Sequence, residues 1–136
     1  MDRELLQAAL AVRDRAHAPY SGYRVGAALR TAAGTVHAGC NVENAAFPEG
    51  WCAETSAIAE MIAASGEEPG RRIAAVCVVA ARIDGRLVTP CGGCRQRLAE
   101  FGNADTLVHV ADPDGRGQTY RLGELLPAAF ALEGQR

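Results

Sequence analysis

The chain of 136 residues contains no lysine, because all 14 of its basic side chains are arginine, and 16 acidic residues bring the net charge to −2. The arginines are spread along the chain with acids between them, so no stretch resembles the basic surface that a phosphate backbone requires. We therefore expect no nucleic-acid partner. No apolar run approaches the roughly 20 residues that span a bilayer, so we expect no membrane partner either.

The chain has five cysteines, an odd number, so a framework in which every cysteine forms a disulfide is excluded. A chain of this length can bury roughly two thirds of its surface on folding, so its core needs no disulfides. No charged-then-apolar N-terminal segment precedes a small-residue cleavage site, which favours a reducing, cytoplasmic location. The composition predicts a single domain over residues 1–136, with a loose tail after about residue 130.

Hydrophobic periodicity predicts alternating helices and strands. Apolar residues at helical spacing, such as Leu5, Leu6 and Ala9, mark helices, and β-rich runs bounded by turn signals such as Asp84-Gly85 mark strands. Helices are predicted over residues 2–17, 52–65 and 92–101, and strands over residues 23–31, 35–40, 72–83, 106–111 and 118–122.

This order of elements predicts an α/β fold. The first two strands are close enough in sequence to form an antiparallel hairpin, and the later strands alternate with helices. The fold class is therefore a three-layer α/β/α sandwich with a mixed sheet of about five strands.

The most informative residues are Cys52 and Glu54, followed further along the chain by Cys91 and Cys94. A Cys-x-x-Cys pair alone is ambiguous, because redox dithiols and structural zinc sites share this spacing. A third cysteine makes three thiolate ligands, which leave the fourth position of a tetrahedral zinc ion for water. Glu54 could reach that water without binding the metal.

Cys40 and Cys77 have no partners at metal spacing. Free cysteine behaves as a small hydrophobic residue, so both are predicted to pack in strands and not to bind a metal.

Several further segments resemble the cytidine deaminase family, in its small, homotetrameric class with three cysteine ligands. The known zinc deaminases share three protein ligands, a non-ligand glutamate and a Pro-Cys-x-x-Cys segment. The matching segments are Pro19-Tyr20-Ser21, Val25-Gly26-Ala27-Ala28-Leu29, Gly39-Cys40-Asn41-Val42-Glu43-Asn44-Ala45, Cys52-Ala53-Glu54, Pro90-Cys91-Gly92-Gly93-Cys94-Arg95-Gln96 and Leu125-Leu126-Pro127.

The resemblance implies an activity and a cofactor. The activity is hydrolytic deamination of cytidine and 2′-deoxycytidine to uridine and 2′-deoxyuridine, with release of ammonia, in pyrimidine salvage. One Zn²⁺ per subunit would be held by Cys52, Cys91 and Cys94, and Glu54 would transfer protons.

The resemblance also implies the substrate contacts and the assembly. Asn41 and Glu43 would hold the ribose 3′-hydroxyl, Tyr23 would pack on the pyrimidine, and Ala53 would be a further contact. Phe130 matches an aromatic residue that a neighbouring subunit contributes, so the implied assembly is a homotetramer with shared sites.

Two positions depart from the family pattern. Thr55 stands where most relatives carry an arginine that hydrogen-bonds the zinc thiolates, and a neutral hydroxyl compensates less charge. Arg95, or the N–H groups at the helix ends alone, is predicted to take over that role. Phe47 stands where many relatives have tyrosine, so one hydroxyl is missing.

Two alternative functions remain open from the sequence. The first is a deaminase of the same fold acting on a modified or N4-substituted cytosine nucleoside. The second is a non-catalytic structural zinc module, in which a fourth protein ligand closes the site. Asn41 and Glu43 argue against a substrate without ribose.

Overall fold

Helices and strands alternate along the part of the chain that the computed structural model describes, which is residues 1–132. Every helix and strand expected from the sequence is present. A 3-10 helix and a short final helix were not expected. In chain order the elements are α1 (Arg3–Arg13), β1 (Val25–Thr31), β2 (Val36–Cys40), the 3-10 helix (Phe47–Glu49), α2 (Ala53–Ala64), β3 (Ile73–Ala80), α3 (Gly92–Phe101), β4 (Leu107–Ala111), β5 (Gly117–Arg121) and α4 (Leu122–Leu125).

Helix α1 ends at Arg13, earlier than the predicted end at residue 17. The backbone of His17 is used elsewhere, because its N–H donates to the carbonyl oxygen of Asn41 at 3.0 Å. Its own carbonyl accepts from the N–H of Glu43 at 2.8 Å. These bonds form a short bridge between the chain after α1 and the loop after β2, so the helix cannot continue.

The strands form one mixed sheet in the order β2-β1-β3-β4-β5. Strand β1 runs antiparallel to both β2 and β3, β3 and β4 are parallel, and β5 is antiparallel to β4. The predicted antiparallel hairpin and the mixed sheet of about five strands are therefore confirmed.

Helices cover both faces of this sheet. On one face, α2 and α3 pack on inward-pointing residues of β1, β3 and β4, which include Leu29, Val76 and Val108. On the other face, α1 packs on the alternate residues, which include Cys77 and Val79. The result is the predicted three-layer arrangement. Cys77 is fully buried there as expected, whereas Cys40 at the end of β2 is only half-buried.

Two glycines let helices approach the sheet closely. A Cβ atom at Gly39 would lie 2.4 Å from the backbone nitrogen of Ala57 in α2, and one at Gly26 would lie 2.1 Å from the carbonyl oxygen of Ala9 in α1. Only a residue without a side chain fits at such distances. Gly39 thereby fixes how close the first turns of α2 lie to β2.

The chain after α4 has no helix or strand up to residue 132. It is nevertheless attached to α3, because the Gln96 side-chain amide donates to the carbonyl oxygen of Phe130 at 3.0 Å. The rest of the predicted loose tail, residues 133–136, lies outside the described residues. Among the described helices, none is long and apolar enough to cross a membrane.

Candidate active site

Three thiols meet where two helices begin. Cys52 is the N-cap of α2, Cys91 is the N-cap of α3, and Cys94 lies in the first turn of α3. Their Sγ atoms all lie within 4.8 Å of one another. Thiolates at about 2.3 Å from one zinc ion lie at most about 4.6 Å apart, so small shifts suffice for all three to bind the same ion. The structure thus brings together the three ligands predicted from the sequence.

The two helix N-termini make this position favourable for negative charge. Neither Cys52 nor Cys91 makes a side-chain capping hydrogen bond, so the first N–H groups of α2 and α3 are not capped by the side chains at these positions. Three thiolates and one Zn²⁺ carry a formal charge of −1. Each helix N-terminus contributes about half a positive charge, which offsets part of it.

Two of the thiols differ in pKa. A hydrogen bond with Cys94 lowers the pKa of Cys52 to about 6, and the positive charge of Arg97 acts in the same direction. The same hydrogen bond raises the pKa of Cys94, which is buried. Cys52 is therefore the first of the pair to become the thiolate that metal binding requires.

Glu54 lies in the first turn of α2, next to the thiols, and is 5% exposed. Burial raises the pKa of its carboxyl group, while the Cys94 thiol and the charge of Arg97 act to lower it. A buried carboxyl with a raised pKa can hold a proton and release it nearby. Ala53, the first residue of α2, is 1% exposed and lies beside it.

Asn41 joins the loop after β2 to the start of β1. Its amide nitrogen donates to the carbonyl oxygen of Tyr23 at 2.8 Å, and its Oδ1 accepts from the N–H of Val25 at 2.9 Å. These bonds use one of the two amide N–H groups, so the other is left for a ligand.

Glu43 holds the turn before β1. Its Oε1 accepts from the N–H groups of Tyr20 and Ser21, at 3.0 and 3.1 Å, and its Oε2 accepts from the Ser21 hydroxyl. The bond from that hydroxyl is the main cause that lowers the pKa of Glu43, so the side chain is a carboxylate. Glu43 and Asn44 line two neighbouring surface cavities, of about 360 and 380 Å³, and Trp51 lines the first.

The predicted aromatic contacts differ in exposure. Tyr23 is half-buried, and its hydroxyl donates to the carbonyl oxygen of Ala81, just beyond β3, at 2.6 Å. Phe130 is 69% exposed. Phe47 is 73% exposed and contacts the Tyr20 ring edge-on, with ring centroids 5.8 Å apart.

Of the two predicted partners of the zinc thiolates, Arg95 or the N–H groups at the helix ends alone, Arg95 is engaged elsewhere. Its guanidinium nitrogens donate instead to the carbonyl oxygens of Pro90 and Leu125, both at 2.7 Å, and to the Thr89 hydroxyl at 2.9 Å. All three acceptors are on the backbone or side chains of neighbouring segments. Arg95 therefore fixes the loop before Cys91 and is not a partner of the sulfur atoms.

Sequence reasoning missed Arg97, which is the guanidinium near the thiols. A Cβ atom placed on Gly93 would lie 3.1 Å from the Nη1 atom of Arg97 and 3.9 Å from the Sγ atom of Cys91. The helical spacing contained the signal, because residues three apart share a helix face and Arg97 is three residues after Cys94.

A site with three thiolates keeps one position of a tetrahedral zinc ion open, which is characteristic of zinc enzymes and not of closed structural sites. Residues 1–110 match the model of the cytidine and deoxycytidylate deaminase zinc-binding region. The chain belongs to this family. Zinc is accordingly its cofactor, and the three-cysteine cluster is suited to hold it.

Individual relatives resemble the chain over nearly its whole length. It is 41% identical to a cytidine deaminase of Halalkalibacterium halodurans, over 98% of this chain and 97% of that protein. It is 40% identical to a cytidine deaminase of Mycobacterium tuberculosis, over 87% of this chain and 80% of that protein.

A solved structure of the cytidine deaminase from Burkholderia pseudomallei superposes with a TM-score of 0.86 at 40% identity, covering 96% of this chain and 99% of that one. The structure of the Mycobacterium leprae cytidine deaminase gives a TM-score of 0.75 at 36% identity, covering 92% of this chain and 96% of that one. The fold expected from the sequence is thus the fold of this family.

Proposed function

We propose that this protein is a cytidine deaminase, which converts cytidine and 2′-deoxycytidine to uridine and 2′-deoxyuridine and releases ammonia, in pyrimidine salvage. The observation that carries the proposal is the cluster of three thiols within 4.8 Å, with the buried carboxyl of Glu54 beside it. The relatives of similar length that are named cytidine deaminases support it.

The reaction adds water to C4 of the cytosine ring and expels the nitrogen attached there. When bound, zinc lowers the pKa of water to about 7 and so supplies a nucleophile near neutral pH. Cys52, Cys91 and Cys94 would hold the metal. The C4–O bond forms, the C4–N bond breaks, and the products are the uracil nucleoside and ammonia.

Glu54 carries the protons of this reaction. Its carboxylate accepts the proton that water loses, delivers one to N3 of the ring, and later assists protonation of the departing nitrogen. Because Glu54 is 5% exposed, bulk water does not compete for these protons. The raised pKa of the carboxyl group brings it closer to the pH of the reaction, where a group can both accept and release a proton.

The proposed nucleoside site consists of Asn41, Glu43, Tyr23 and Ala53. The free amide N–H of Asn41 and the carboxylate of Glu43 complement the ribose 3′-hydroxyl, which both accepts and donates a hydrogen bond. Tyr23 offers a ring to pack on the pyrimidine. The variant Glu43→Gln, which keeps the size of the side chain, should raise KM for cytidine more than it lowers kcat. An unchanged KM would contradict the ribose contact.

The assembly of the proposal is a homotetramer, in which Phe130 of one subunit reaches the site of a neighbour. The exposure of the Phe130 ring, at 69%, supports this, because a large apolar side chain is usually covered. Light scattering or small-angle X-ray scattering should give four times the chain mass of 14.3 kDa. A fully active monomer would contradict a shared site.

The proposed location of the protein is the cytoplasm. Zinc-binding thiols must stay reduced, and a reducing compartment keeps them so. Fractionation of cells that express the native gene should recover the protein and the activity together in that compartment; recovery elsewhere would contradict the assignment.

An ultraviolet assay of the purified, zinc-loaded protein tests the activity. The substrates are cytidine, 2′-deoxycytidine, cytosine and N4-methylcytidine, each with and without a chelator. We expect turnover of the first two, and loss of turnover with the chelator. Turnover of N4-methylcytidine alone would show the modified-nucleoside alternative, and no turnover of any would contradict the enzyme.

The variant Glu54→Gln separates the enzyme from a structural zinc module. It should keep the zinc content and the thermal midpoint of the wild type while turnover falls by at least about 10³-fold, because proton transfer is lost. Within residues 1–132, no fourth cysteine, histidine or carboxylate joins the thiol cluster, which also speaks against a closed structural site.

A further inference from the structure

The zinc site has a charge that the helix ends alone only partly balance. Three thiolates and one Zn²⁺ leave a formal charge of −1, and Glu54 adds another nearby whenever it is ionised. Negative charges held close together repel one another, which weakens a cluster of this kind. A nearby cation would therefore strengthen metal retention.

Thr55 does not supply this charge. It follows Glu54 in the first turn of α2, and its buried hydroxyl oxygen has no hydrogen-bond partner among the described residues. A hydroxyl is neutral, so it brings no positive charge even where it is close. Arg95 does not supply it either, because each of its three nitrogens already donates to an acceptor, namely Pro90, Leu125 or Thr89.

Arg97 lies where the charge is needed. A Cβ atom placed on Gly93 would lie 3.1 Å from the Nη1 atom of Arg97 and 3.9 Å from the Sγ atom of Cys91. The two atoms therefore border the same small volume. The two atoms are thus at most about 7 Å apart, which is within the Debye length of about 8 Å at physiological salt. A glycine at position 93 leaves this volume open.

The guanidinium of Arg97 is not committed to another partner. Across residues 1–132 it forms no ion pair with a carboxylate and no hydrogen bond within the usual limits. Since Arg97 is exposed, its charge costs no desolvation in this position. An arginine with no hydrogen-bond or ion-pair partner within residues 1–132, next to a cluster of thiols, is suited to balance their charge.

We infer that Arg97 is a positioning residue of the zinc site, whose positive charge stabilises the thiolates of Cys91 and Cys52 and so retains the metal. It acts from α3, whereas Thr55 belongs to α2. Arg97 does not touch the nucleoside in this assignment, and it acts on the reaction only through the thiolates.

The test measures zinc release and does not depend on turnover. Purified zinc-loaded wild type, Arg97→Gln and Arg97→Lys are mixed with the chromogenic chelator 4-(2-pyridylazo)resorcinol, and the rate of zinc transfer is followed. We expect release from Arg97→Gln to be roughly 10-fold faster than from the wild type, the size typical for a lost partner of a metal ligand. Release from Arg97→Lys should stay within about 2-fold of the wild type, because the charge is kept.

The matched control is Arg3→Gln, which removes an exposed arginine from α1, on the opposite side of the sheet. Its release rate should equal that of the wild type. Salt gives a second readout, because the difference between wild type and Arg97→Gln should shrink between about 0.02 M and about 0.5 M NaCl as the charges are screened.

Equal release rates for wild type and Arg97→Gln would overturn the inference. So would a rate for Arg97→Lys as fast as that of Arg97→Gln, or a difference that salt leaves unchanged, since neither fits a role of charge. The inference rests on the zinc site of the proposed function. Because zinc and not uridine is measured, its failure is distinguishable from a failure of the deaminase activity.

Discussion

The guanidinium of Arg95 donates a hydrogen bond to the carbonyl oxygen of Leu125 at 2.7 Å, which joins α3 to α4. The same side chain donates to Pro90, the residue before Cys91. One arginine thereby connects the last short helix to the loop that begins the Cys-x-x-Cys segment, so the position of that segment depends on a contact with the end of the fold.

Replacing Arg95 should therefore lower stability more than it changes zinc affinity. We expect Arg95→Gln to lower the free energy of unfolding by about 2–3 kcal/mol, because three bonds from a charged donor are lost and only part of them is replaced by an amide. Urea unfolding of the zinc-loaded protein measures this.

Arg97→Gln is the matched comparison, two residues along the same helix. It should leave the unfolding free energy of the zinc-free protein within about 0.5 kcal/mol of the wild type, since the lost side chain is exposed. If Arg95→Gln proved as stable as Arg97→Gln, the structural role of Arg95 would be refuted.

Gly39→Ala should separate α2 from the sheet. A Cβ there would lie 2.4 Å from the nitrogen of Ala57 and 2.6 Å from the backbone carbon of Ser56, and neither backbone atom can move alone. We expect a loss of about 2–3 kcal/mol in the free energy of unfolding, as for other overpacked positions. Turnover should fall as well, because Cys52 and Glu54 move with the start of α2.

Gly66→Ala is the control for this change, because a Cβ at Gly66 has no atom within 4 Å. Its unfolding free energy should stay within about 0.5 kcal/mol of the wild type. Equal effects of the two substitutions, in the same denaturant titration, would show that close packing at Gly39 is not what matters.

Asp112 should make stability depend on acid pH. Its Oδ2 accepts from Arg82 at 2.8 Å and its Oδ1 from the N–H groups of Asp114 and Arg116, both at 3.0 Å. The Arg82 bond is the main cause that lowers the pKa of Asp112 below 3.8. A carboxyl whose pKa is lowered by folding stabilises the fold above its unfolded pKa, and this stabilisation is lost as pH falls through the folded pKa.

Asp112→Asn should accordingly be less stable than the wild type at neutral pH, and the difference in unfolding free energy should begin to shrink below about pH 4 and disappear only as pH falls through the lower folded pKa. The stability difference between Arg82→Gln and the wild type should narrow over the same pH range. Thermal midpoints of the three proteins at several pH values check this, and a difference that stays constant from neutral pH down to about pH 3 would contradict the assigned cause.

Cys77 should be inert in the folded protein. It is fully buried in β3, and burial raises the pKa of its thiol to about 12. Because the thiolate is the reactive form, a thiol reagent should label Cys77 only after unfolding, whereas the half-buried Cys40 should react earlier. Mass spectrometry of peptides labelled before and after denaturation distinguishes the two, and equal native labelling would be inconsistent with the packing.

The placement of the predicted zinc ligands at helix starts could be read from the sequence because the signals are local. Cys52 and Cys91 each directly precede a helical pattern, and both prove to be N-cap residues. The buried strand β3 was equally clear, because its apolar run is nearly continuous. In both cases the spacing of residue types determines the local structure without help from distant parts of the chain.

The features that escaped prediction depend on contacts between distant segments. Helix α1 ends early because His17 bonds to the loop around Asn41, and α4 is too short to have a clear pattern of its own. Arg95 was one of the two partners predicted for the thiolates, beside the helix N–H groups alone, because the sequence does not show that the carbonyl oxygen of Leu125 accepts from its guanidinium. Tertiary hydrogen bonds decided the end of α1 and the contacts of Arg95, whereas the length of α4 hid that helix.

The distribution of the three thiols over two helices has a consequence for folding as well as for chemistry. Cys52 and Cys91 are separated by roughly 40 residues that include all of β3, so a metal bridging them closes a long loop. A ligand that binds only the folded chain adds about 1.4 kcal/mol to its stability for each tenfold excess over Kd. A tenfold fall in free zinc therefore lowers the free energy of unfolding by about 1.4 kcal/mol while the metal stays in excess of Kd, so the stability of the fold depends on the zinc concentration around it.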